Sequence, residues 1–438
     1  MLINQLKTYA ITTLGCKVNS YESSVIKNDL DSYGFLEVPF DALADIYIIN
    51  TCSVTNTADA KSRNMISRAR KNNPNAIIIV CGCYSQVSSE YLKNKFGINI
   101  LLGNKYKNNI IEIIEEYLDQ KKQIIKIDNL LLEKNFENSK IETFKDQTRA
   151  YVKIQDGCNF MCSYCIIPFT RGRQRSKGHS TLINEINQLV TNGFKEIVLT
   201  GVNTAGYNDG EYDFYKLLKD INKLDGKFRV RISSVEPFQI SDDIINLIAN
   251  NKNRFCQHWH ICLQSGSDSV LEKMNRKYST SEFLTLVNKI YKLNPYTSIS
   301  TDYIVGFPTE TENNHYESIE FLKLVKFSKI HVFPYSIRSY TPASKLPQIK
   351  DSIKSNRVKE ILELNKELSK EFINKFVNKN VDVIFEKQIN NNTYIGHTSE
   401  YFEVIVKSDE NILNKLCLVK IKRIIGDNTI GELIKILD

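Results

Sequence analysis

The 438-residue chain has no unbroken apolar run of about eighteen residues, the length a bilayer-spanning helix needs. A helical membrane protein is thereby excluded. Also missing is the succession of charged region, apolar stretch and small-residue cleavage site that marks an export signal: Met1-Leu2-Ile3-Asn4-Gln5-Leu6-Lys7 runs straight into a strand pattern. The expected location is therefore the cytoplasm, with no membrane partner. No internal repeat and no strong low-complexity segment is present. Nor does one sign of charge dominate. The 58 Lys and Arg against 50 Asp and Glu leave +8, a mild bias that suits a polyanionic partner without specifying one.

Cysteine, by contrast, is plentiful, with ten in a chain that has no export signal. Such cysteines read as metal ligands, catalytic thiols or small buried hydrophobes rather than disulfides, and their spacing has to decide. The length predicts two to four domains, and 42% hydrophobic with 25% charged residues is ordinary for a globular protein.

The expected fold class is α/β throughout most of the chain. Short β-branched runs at Thr8–Thr13, Asp45–Asn50 and Ala76–Val80 alternate with amphipathic stretches, which predicts an open parallel α/β sheet over residues 1–124, with a helical, charged segment near Asn104–Gln123. Residues 125–143 are polar and aperiodic and read as a connection. Over residues 144–374, six strands are predicted near Tyr151–Gln155, Glu196–Thr200, Phe228–Ser233, His258–Leu263, Ser298–Val305 and Lys329–Pro334, with helices between them. Six βα units imply an open or partial (β/α)6 barrel, since a complete one needs eight. The predicted strand ends carry Asp156-Gly157-Cys158, Gly201-Val202-Asn203, Ser234-Val235-Glu236-Pro237, Gln264-Ser265-Gly266-Ser267, Gly306-Phe307-Pro308 and Tyr335-Ser336-Ile337-Arg338. Any one of these could simply make a turn, but six in register mark the catalytic end. After a long helical stretch, residues 375–438 show five closely spaced β runs and predict a small antiparallel β-barrel.

Cys158, Cys162 and Cys165 place three thiols in an eight-residue loop directly after a predicted strand. Such a loop can hold three irons of a [4Fe–4S] cube and leave the fourth iron open; a structural zinc site would want a fourth Cys or His nearby, and none follows until His179. An open iron can chelate S-adenosylmethionine and reduce its sulfonium. This C-x-x-x-C-x-x-C loop, with Tyr164 before the third cysteine, resembles the radical S-adenosylmethionine (radical SAM) superfamily. A second trio is dispersed: Cys16, Cys52 and Cys83 each follow a predicted strand of the first domain. In a parallel sheet such ends share one edge, so the three can converge on one site, although each alone could be a small buried hydrophobe. Cys81, Cys256, Cys262 and Cys417 lie in apolar strand contexts and read as structural. His258 and His260 flank Trp259 on one strand face, where packing or hydrogen bonding is the expected role ahead of a barrel-interior one.

The segments Gly15-Cys16-Lys17-Val18-Asn19-Ser20-Tyr21-Glu22, Asn50-Thr51-Cys52-Ser53-Val54-Thr55 and Gly82-Cys83-Tyr84-Ser85-Gln86 resemble the N-terminal domain of the methylthiotransferases. The likeness extends through Asp156-Gly157-Cys158-Asn159, Ile167-Pro168-Phe169-Thr170-Arg171-Gly172-Arg173, Leu263-Gln264-Ser265-Gly266-Ser267, Asp302–Pro308 and Phe333-Pro334-Tyr335-Ser336. The tail, with Gly396-His397-Thr398 and Gly431-Glu432-Leu433, is similar to the TRAM RNA-binding domain. The resemblance implies two 4Fe-4S clusters and S-adenosyl-L-methionine as cofactors, Cys16, Cys52, Cys83, Cys158, Cys162 and Cys165 as ligands, and transfer of a methylthio group to C2 of an adenine. Lys17-Val18-Asn19 and Val152–Cys158 are most similar to the branch acting on N6-threonylcarbamoyladenosine at position 37, beside the tRNA anticodon, with an electron donor and a sulfur donor as further partners. The alternatives are a methylthiotransferase acting on isopentenyladenosine tRNA or a ribosomal protein and, from another class, a zinc-containing RNA-binding protein. One departure is Tyr340-Thr341-Pro342, where the relatives commonly carry Gly-Thr-Pro.

From loop position, Tyr164, Gly201, Asn203 and Gln264 are expected at S-adenosylmethionine. The run Arg171-Gly172-Arg173-Gln174-Arg175-Ser176-Lys177 alternates positive side chains, so Arg171, Arg173 and Arg175 are expected at phosphates, although a solvated loop would look the same. In residues 375–438 nine basic and nine acidic residues cancel, and only Lys415, Lys420, Lys422 and Arg423 form a basic patch. Tyr394, Tyr401 and Phe402 could stack on bases, but aromatics in so small a barrel are more often core.

Overall fold

The computed structural model describes residues 6–137, 139, 141 and 147–437. The first residues of the chain, parts of the predicted connection, the predicted start of the barrel domain at 144 and the final residue lie outside that set. Two compact units emerge, and they do not follow chain order: one comprises Met1–Ile141, Gln155–Lys177 and Ser336–Ser344, the other Glu142–Ile154, Gly178–Tyr335 and Lys345–Asp438.

The first unit is built on a six-stranded, all-parallel sheet of β1 (Thr8–Thr13), β2 (Leu36–Glu37), β3 (Ile46–Thr51), β4 (Ile77–Gly82), β5 (Ile100–Leu102) and β6 (Ile124–Lys126), in the order β2-β1-β3-β4-β5-β6. Strands β3 and β4 are buried along their full length, as β-branched strands covered on both faces should be. Alternation divides their side chains between two cores: Tyr9, Ile46, Ile48, Ile77 and Ile79 on one face, Ala10, Tyr47, Ile49, Ile78 and Val80 on the other. Four helices cover these faces, α1 (Lys17–Ser32), α2 (Asn56–Asn72), α3 (Cys83–Leu92) and α4 (Ile110–Gln120). The Thr55 side chain caps α2 by accepting from the Ala58 N–H. Strands β2, β5 and β6 escape sequence reading because two or three residues carry no periodicity.

Strand β7 (Ala150–Lys153) opens the second unit, after which the chain returns to the first for a short hairpin of β8 (Gln155–Asp156) with β9 (Arg175–Ser176). Then follow β10 (Glu196–Thr200), β11 (Arg229–Ile232), β12 (Ser234–Val235), β13 (His258–Ile261), β14 (Ser298–Val305) and β15 (Lys329–Pro334), paired in parallel as β7-β10-β11 and β12-β13-β14-β15. Only Ser233 separates β11 from β12, so six strand positions run in chain order as a partial barrel. The intervening helices bury one face each, for example Phe214, Leu217, Leu218 and Ile221 of Phe214–Lys223.

The long helix Asp351–Asn374 packs against β15 and leads to a closed barrel of β16 (Asn380–Asn390), β17 (Thr393–Thr398), β18 (Glu403–Lys407), β19 (Leu416–Ile425) and β20 (Asn428–Ile436). Its pairings are antiparallel except for the closing pair, β18 with β20, which is parallel. Closure is tight: a Cβ on Gly431 would sit 2.4 Å from Val419 Cγ1, so that position admits no side chain. Tyr394 and Phe402 belong to this barrel's core.

Within the second unit, one buried ion network fastens the small barrel to the β7-β10-β11 sheet. Glu196 of β10 is fully buried and accepts from Arg229 Nε at 2.6 Å and Arg231 Nε at 2.7 Å, with Arg149 at 3.8 Å. The same guanidiniums reach out, Arg229 donating to the carbonyls of Asp382 and His397, and Arg231 to those of Thr398 and Ser399. Burial by itself would raise the Glu196 carboxyl; Arg231, Arg229 and Arg149 outweigh it and hold it well below the usual carboxylate range. Tyr401 completes the packing with its ring 4.5 Å from the Arg231 guanidinium carbon.

Candidate functional site

Cys16, Cys52 and Cys83 follow the C-terminal ends of β1, β3 and β4, which are adjacent in the sheet. Their loops touch. A Cβ on Gly15, at φ +102°, would lie 2.8 Å from Cys52 Sγ, and one on Gly82, at φ +103°, would lie 2.4 Å from the Thr51 carbonyl oxygen. Glycine at both positions lets three strand-end loops crowd together. Cys16 sits at the N-cap of α1 and Cys83 is the first residue of α3. Cys52 and Cys83 are buried, whereas Cys16 is exposed. Burial, with the Cys83 thiol next, pushes Cys52 up to about 12. Cys16 is raised as well, by protein atoms packed around the thiol of this otherwise exposed residue, against the lowering effect of Arg171.

The residues that hold this edge together are polar and buried. Asn19 on α1 donates from Nδ2 to the carbonyls of Leu14 at 2.7 Å and Thr51 at 3.0 Å, so one amide clamps the Cys16 and Cys52 loops. Asn104 Nδ2 lies 3.7 Å from Cys83 Sγ and 2.7 Å from the Thr170 carbonyl oxygen. Arg171, 1% exposed, donates to Glu22 at 2.8 Å, to Asp156 at 3.1 Å and to Asn19 at 2.6 Å. Glu22 also pairs with the fully buried Lys107. Sequence reading passed over Asn104 and Lys107 and gave Asn19 and Glu22 no role.

The local trio, Cys158, Cys162 and Cys165, lies in the loop closed by β8 and β9. Cys158 N–H donates to the Gly172 carbonyl at 3.1 Å, and Cys165 N–H to the Cys162 carbonyl at 3.0 Å. Gly157 has φ +70°, and a Cβ there would meet the Arg173 carbonyl oxygen at 2.0 Å. All three thiols are partly exposed. Among the described residues His260, Cys262 and Asp302 form a further set of metal-type donors, all within 4.8 Å of one another. Three thiols are the donors an iron–sulfur cluster takes.

The other predicted positions scatter. Gly201 is half-buried after β10, Asn203 is buried at the start of a short 3-10 turn, and Gln264 follows β13 with φ +68°. Tyr164 is half-buried in the cysteine loop. Arg171 and Arg175 are not placed for phosphate, because their guanidiniums are buried and donate to protein partners, Arg175 to the carbonyls of Arg171 and Arg173. Arg173 stays exposed. In the small barrel Lys422 and Arg423 are exposed, Lys420 is half-buried, and Lys422 pairs with Glu432 at 2.9 Å. Cys81 and Cys417 are core, and Cys256 Sγ lies 4.0 Å from Glu196. His258 Nε2 and His260 Nδ1 both bond Ser300 Oγ, at 2.8 and 2.9 Å. Tyr340, in the departing segment, rests its ring 5.8 Å from that of Phe169.

Residues 8–103 match the family described as Uncharacterized protein family UPF0004, and residues 152–322 match the Radical SAM superfamily. The threonylcarbamoyladenosine tRNA methylthiotransferase MtaB of Bacillus subtilis is 38% identical over 99% of this chain and 98% of its own length. This chain belongs to the radical SAM methylthiotransferase family. It is thus an enzyme that uses S-adenosylmethionine and a [4Fe–4S] cluster. The MtaB of Chlamydia pneumoniae is 34% identical over 99% of this chain and all of its own, and a tRNA-2-methylthio-N(6)-dimethylallyladenosine synthase of Clostridium novyi is 34% identical over 98% and 97%. Among solved structures, the radical SAM methyltransferase TsrM of Kitasatospora setae superposes with a TM-score of 0.55 at 14% identity, over 77% of this chain and 75% of its own; this likeness concerns the fold alone. Among the described residues no helix is long and apolar enough to cross a membrane.

Proposed function

We propose that this protein methylthiolates C2 of N6-threonylcarbamoyladenosine at position 37 of tRNA, giving 2-methylthio-N6-threonylcarbamoyladenosine, and that it holds two [4Fe–4S] clusters. The observation that carries the reading is the gathering of Cys16, Cys52 and Cys83 at one sheet edge, in a chain whose near-full-length relatives include several named for that activity. Cys158, Cys162 and Cys165 bind the cluster that cleaves S-adenosylmethionine, and the dispersed trio binds the other. Both sets must shed protons on binding, since metal ligation requires thiolates. Bound there, the clusters supply reductive cleavage of S-adenosylmethionine and a sulfur for transfer. Tyr164, Gly201, Asn203 and Gln264 contact S-adenosylmethionine. Arg173, Lys420, Lys422 and Arg423 meet phosphates, the latter three on a TRAM-like domain spanning 375–438, and an external reductant and a sulfur donor complete the reaction.

Mass spectrometry of tRNA nucleosides from a strain lacking the gene tests the substrate. The 2-methylthio-threonylcarbamoyladenosine signal should vanish and return with the wild-type gene but not with C16A. Loss of 2-methylthio-isopentenyladenosine instead would transfer the protein to the other tRNA branch, and unchanged methylthio-adenosines would refute a tRNA substrate altogether.

A further inference from the structure

The short helix α5 (Ile167–Arg171) comes directly after the Cys158–Cys165 loop, yet it is linked through Asn19 and Asn104 to the loops of the dispersed trio. Its last two residues make the links. Arg171 Nη2 donates to Asn19, whose own amide clamps the Leu14 and Thr51 carbonyls beside Cys16 and Cys52. The Thr170 carbonyl accepts from Asn104 Nδ2, the same atom that lies 3.7 Å from Cys83 Sγ. A guanidinium has five N–H donors. The two Nη atoms of Arg171 are spent on Glu22, Asp156 and Asn19, but Nε is buried and has no partner. In a residue that is 1% exposed, an orphaned charged N–H calls for an acceptor that the protein itself does not provide.

Charge points the same way. Three cations, Arg171, Lys107 and Arg175, face two carboxylates, Glu22 and Asp156, so these side chains carry a surplus positive charge before anything binds to the thiols. The Arg171 charge acts on the Cys83 and Cys16 thiols as well. A cluster held by three thiolates adds net negative charge beside this guanidinium, and more on reduction. Hydrogen bonds and positive charge near a cluster's sulfurs favour its reduced form.

We infer that Arg171 is a positioning residue of the Cys16–Cys52–Cys83 site, bracing the loops that carry these cysteines and offering its Nε–H to a sulfur of the cluster bound there. The inference rests on the two-cluster reading above. A guanidinium in this role raises the reduction potential of that cluster and couples its assembly to the folding of the neighbouring radical loop.

The test uses full-length protein reconstituted anaerobically as wild type, R171K and R171M. Iron and sulfide are counted, the clusters are titrated by EPR at controlled potential, and the reduced second cluster is examined by pulsed EPR in protein labelled with [15N]arginine. Wild type should bind about eight irons, two [4Fe–4S] equivalents, and show a weak arginine-nitrogen coupling. R171K keeps a cation and so is the variant expected to fold. It should lose the coupling, still cleave S-adenosylmethionine, form less methylthio product, and show a roughly tenfold higher oxidised-to-reduced ratio at fixed potential, about 59 mV for one electron. R171M should shift further in the same direction or lose the second cluster alone. An R171K protein with about eight irons and the wild-type potential, or a wild type with no arginine coupling, overturns the inference. A wild type with about four irons, unchanged in C16A, would instead overturn the two-cluster reading beneath it.

Discussion

Replacing Glu196 should loosen the second unit more than any surface change could. Its carboxylate lies between Arg229 and Arg231 at 2.6 and 2.7 Å with no exposure, and Arg149 stands 3.8 Å away. E196Q preserves volume but removes the anion these three guanidiniums share, leaving Arg149 its pair with Glu386 at 2.8 Å, and it turns an amide donor toward donors. Breaking a buried pair by removing one partner costs about 3–5 kcal/mol. The cost should fall on both the β10–β11 edge and the small barrel, since Arg229 and Arg231 also hold the carbonyls of Asp382, His397, Thr398 and Ser399. Trp259, the single tryptophan, reports on the result, because it is buried on β13 and its neighbour Gln257 donates a backbone N–H to Ser399 Oγ. Denaturant unfolding of the holoenzyme followed by Trp259 fluorescence should show the loss in E196Q, with R231M/E196Q losing less than the two single changes together. The folded-state carboxyl is depressed from 4.5, so its stabilisation is complete above that pH and declines as pH falls toward the folded value; the gap between wild type and E196Q should narrow below pH 4.5. A loss under about 1 kcal/mol at neutral pH would refute the clamp, being no more than an exposed pair contributes.

Single C52A and C83A variants should each bind about four irons yet still cleave S-adenosylmethionine under reduction; cleavage lost together with the iron would join the two sites functionally. G157A should fail to hold the radical-generating cluster, because a Cβ would lie 2.0 Å from the Arg173 carbonyl oxygen at φ +70°, and wild-type iron and cleavage in that variant would contradict the geometry. R338M should free the segment Ser336–Ser344, which Arg338 ties to Asp59 at 2.6 Å and to Asn56, with limited proteolysis as the readout. R423A should weaken tRNA binding and lower its salt dependence by about one charge, and an unchanged salt slope would remove Arg423 from the interface.

The sheet-and-barrel plan was legible because long strands such as Ile46–Thr51 and Ser298–Val305 announce themselves by β-branched content and regular spacing. The β-strand pattern of the small barrel was equally plain, but its parallel closing pair was not, since pairing direction depends on contacts between residues far apart, such as Ile405 with Ile430. Arginine was the least legible residue type. Arg171 and Arg173 look alike in an alternating basic loop, yet one is buried against Glu22, Asp156 and Asn19 while the other faces solvent.

The sequence by itself determined which groups stay close along the chain: Cys158, Cys162 and Cys165 fall within eight residues, so the covalent chain keeps their thiols near one another whatever packs around them. Tertiary structure alone decided the rest. Cys16, Cys52 and Cys83 are more than thirty residues apart and become neighbours only when β1, β3 and β4 pair side by side. The buried ions around them are tolerable only once their partners have folded into place, since an isolated buried charge is too costly to keep.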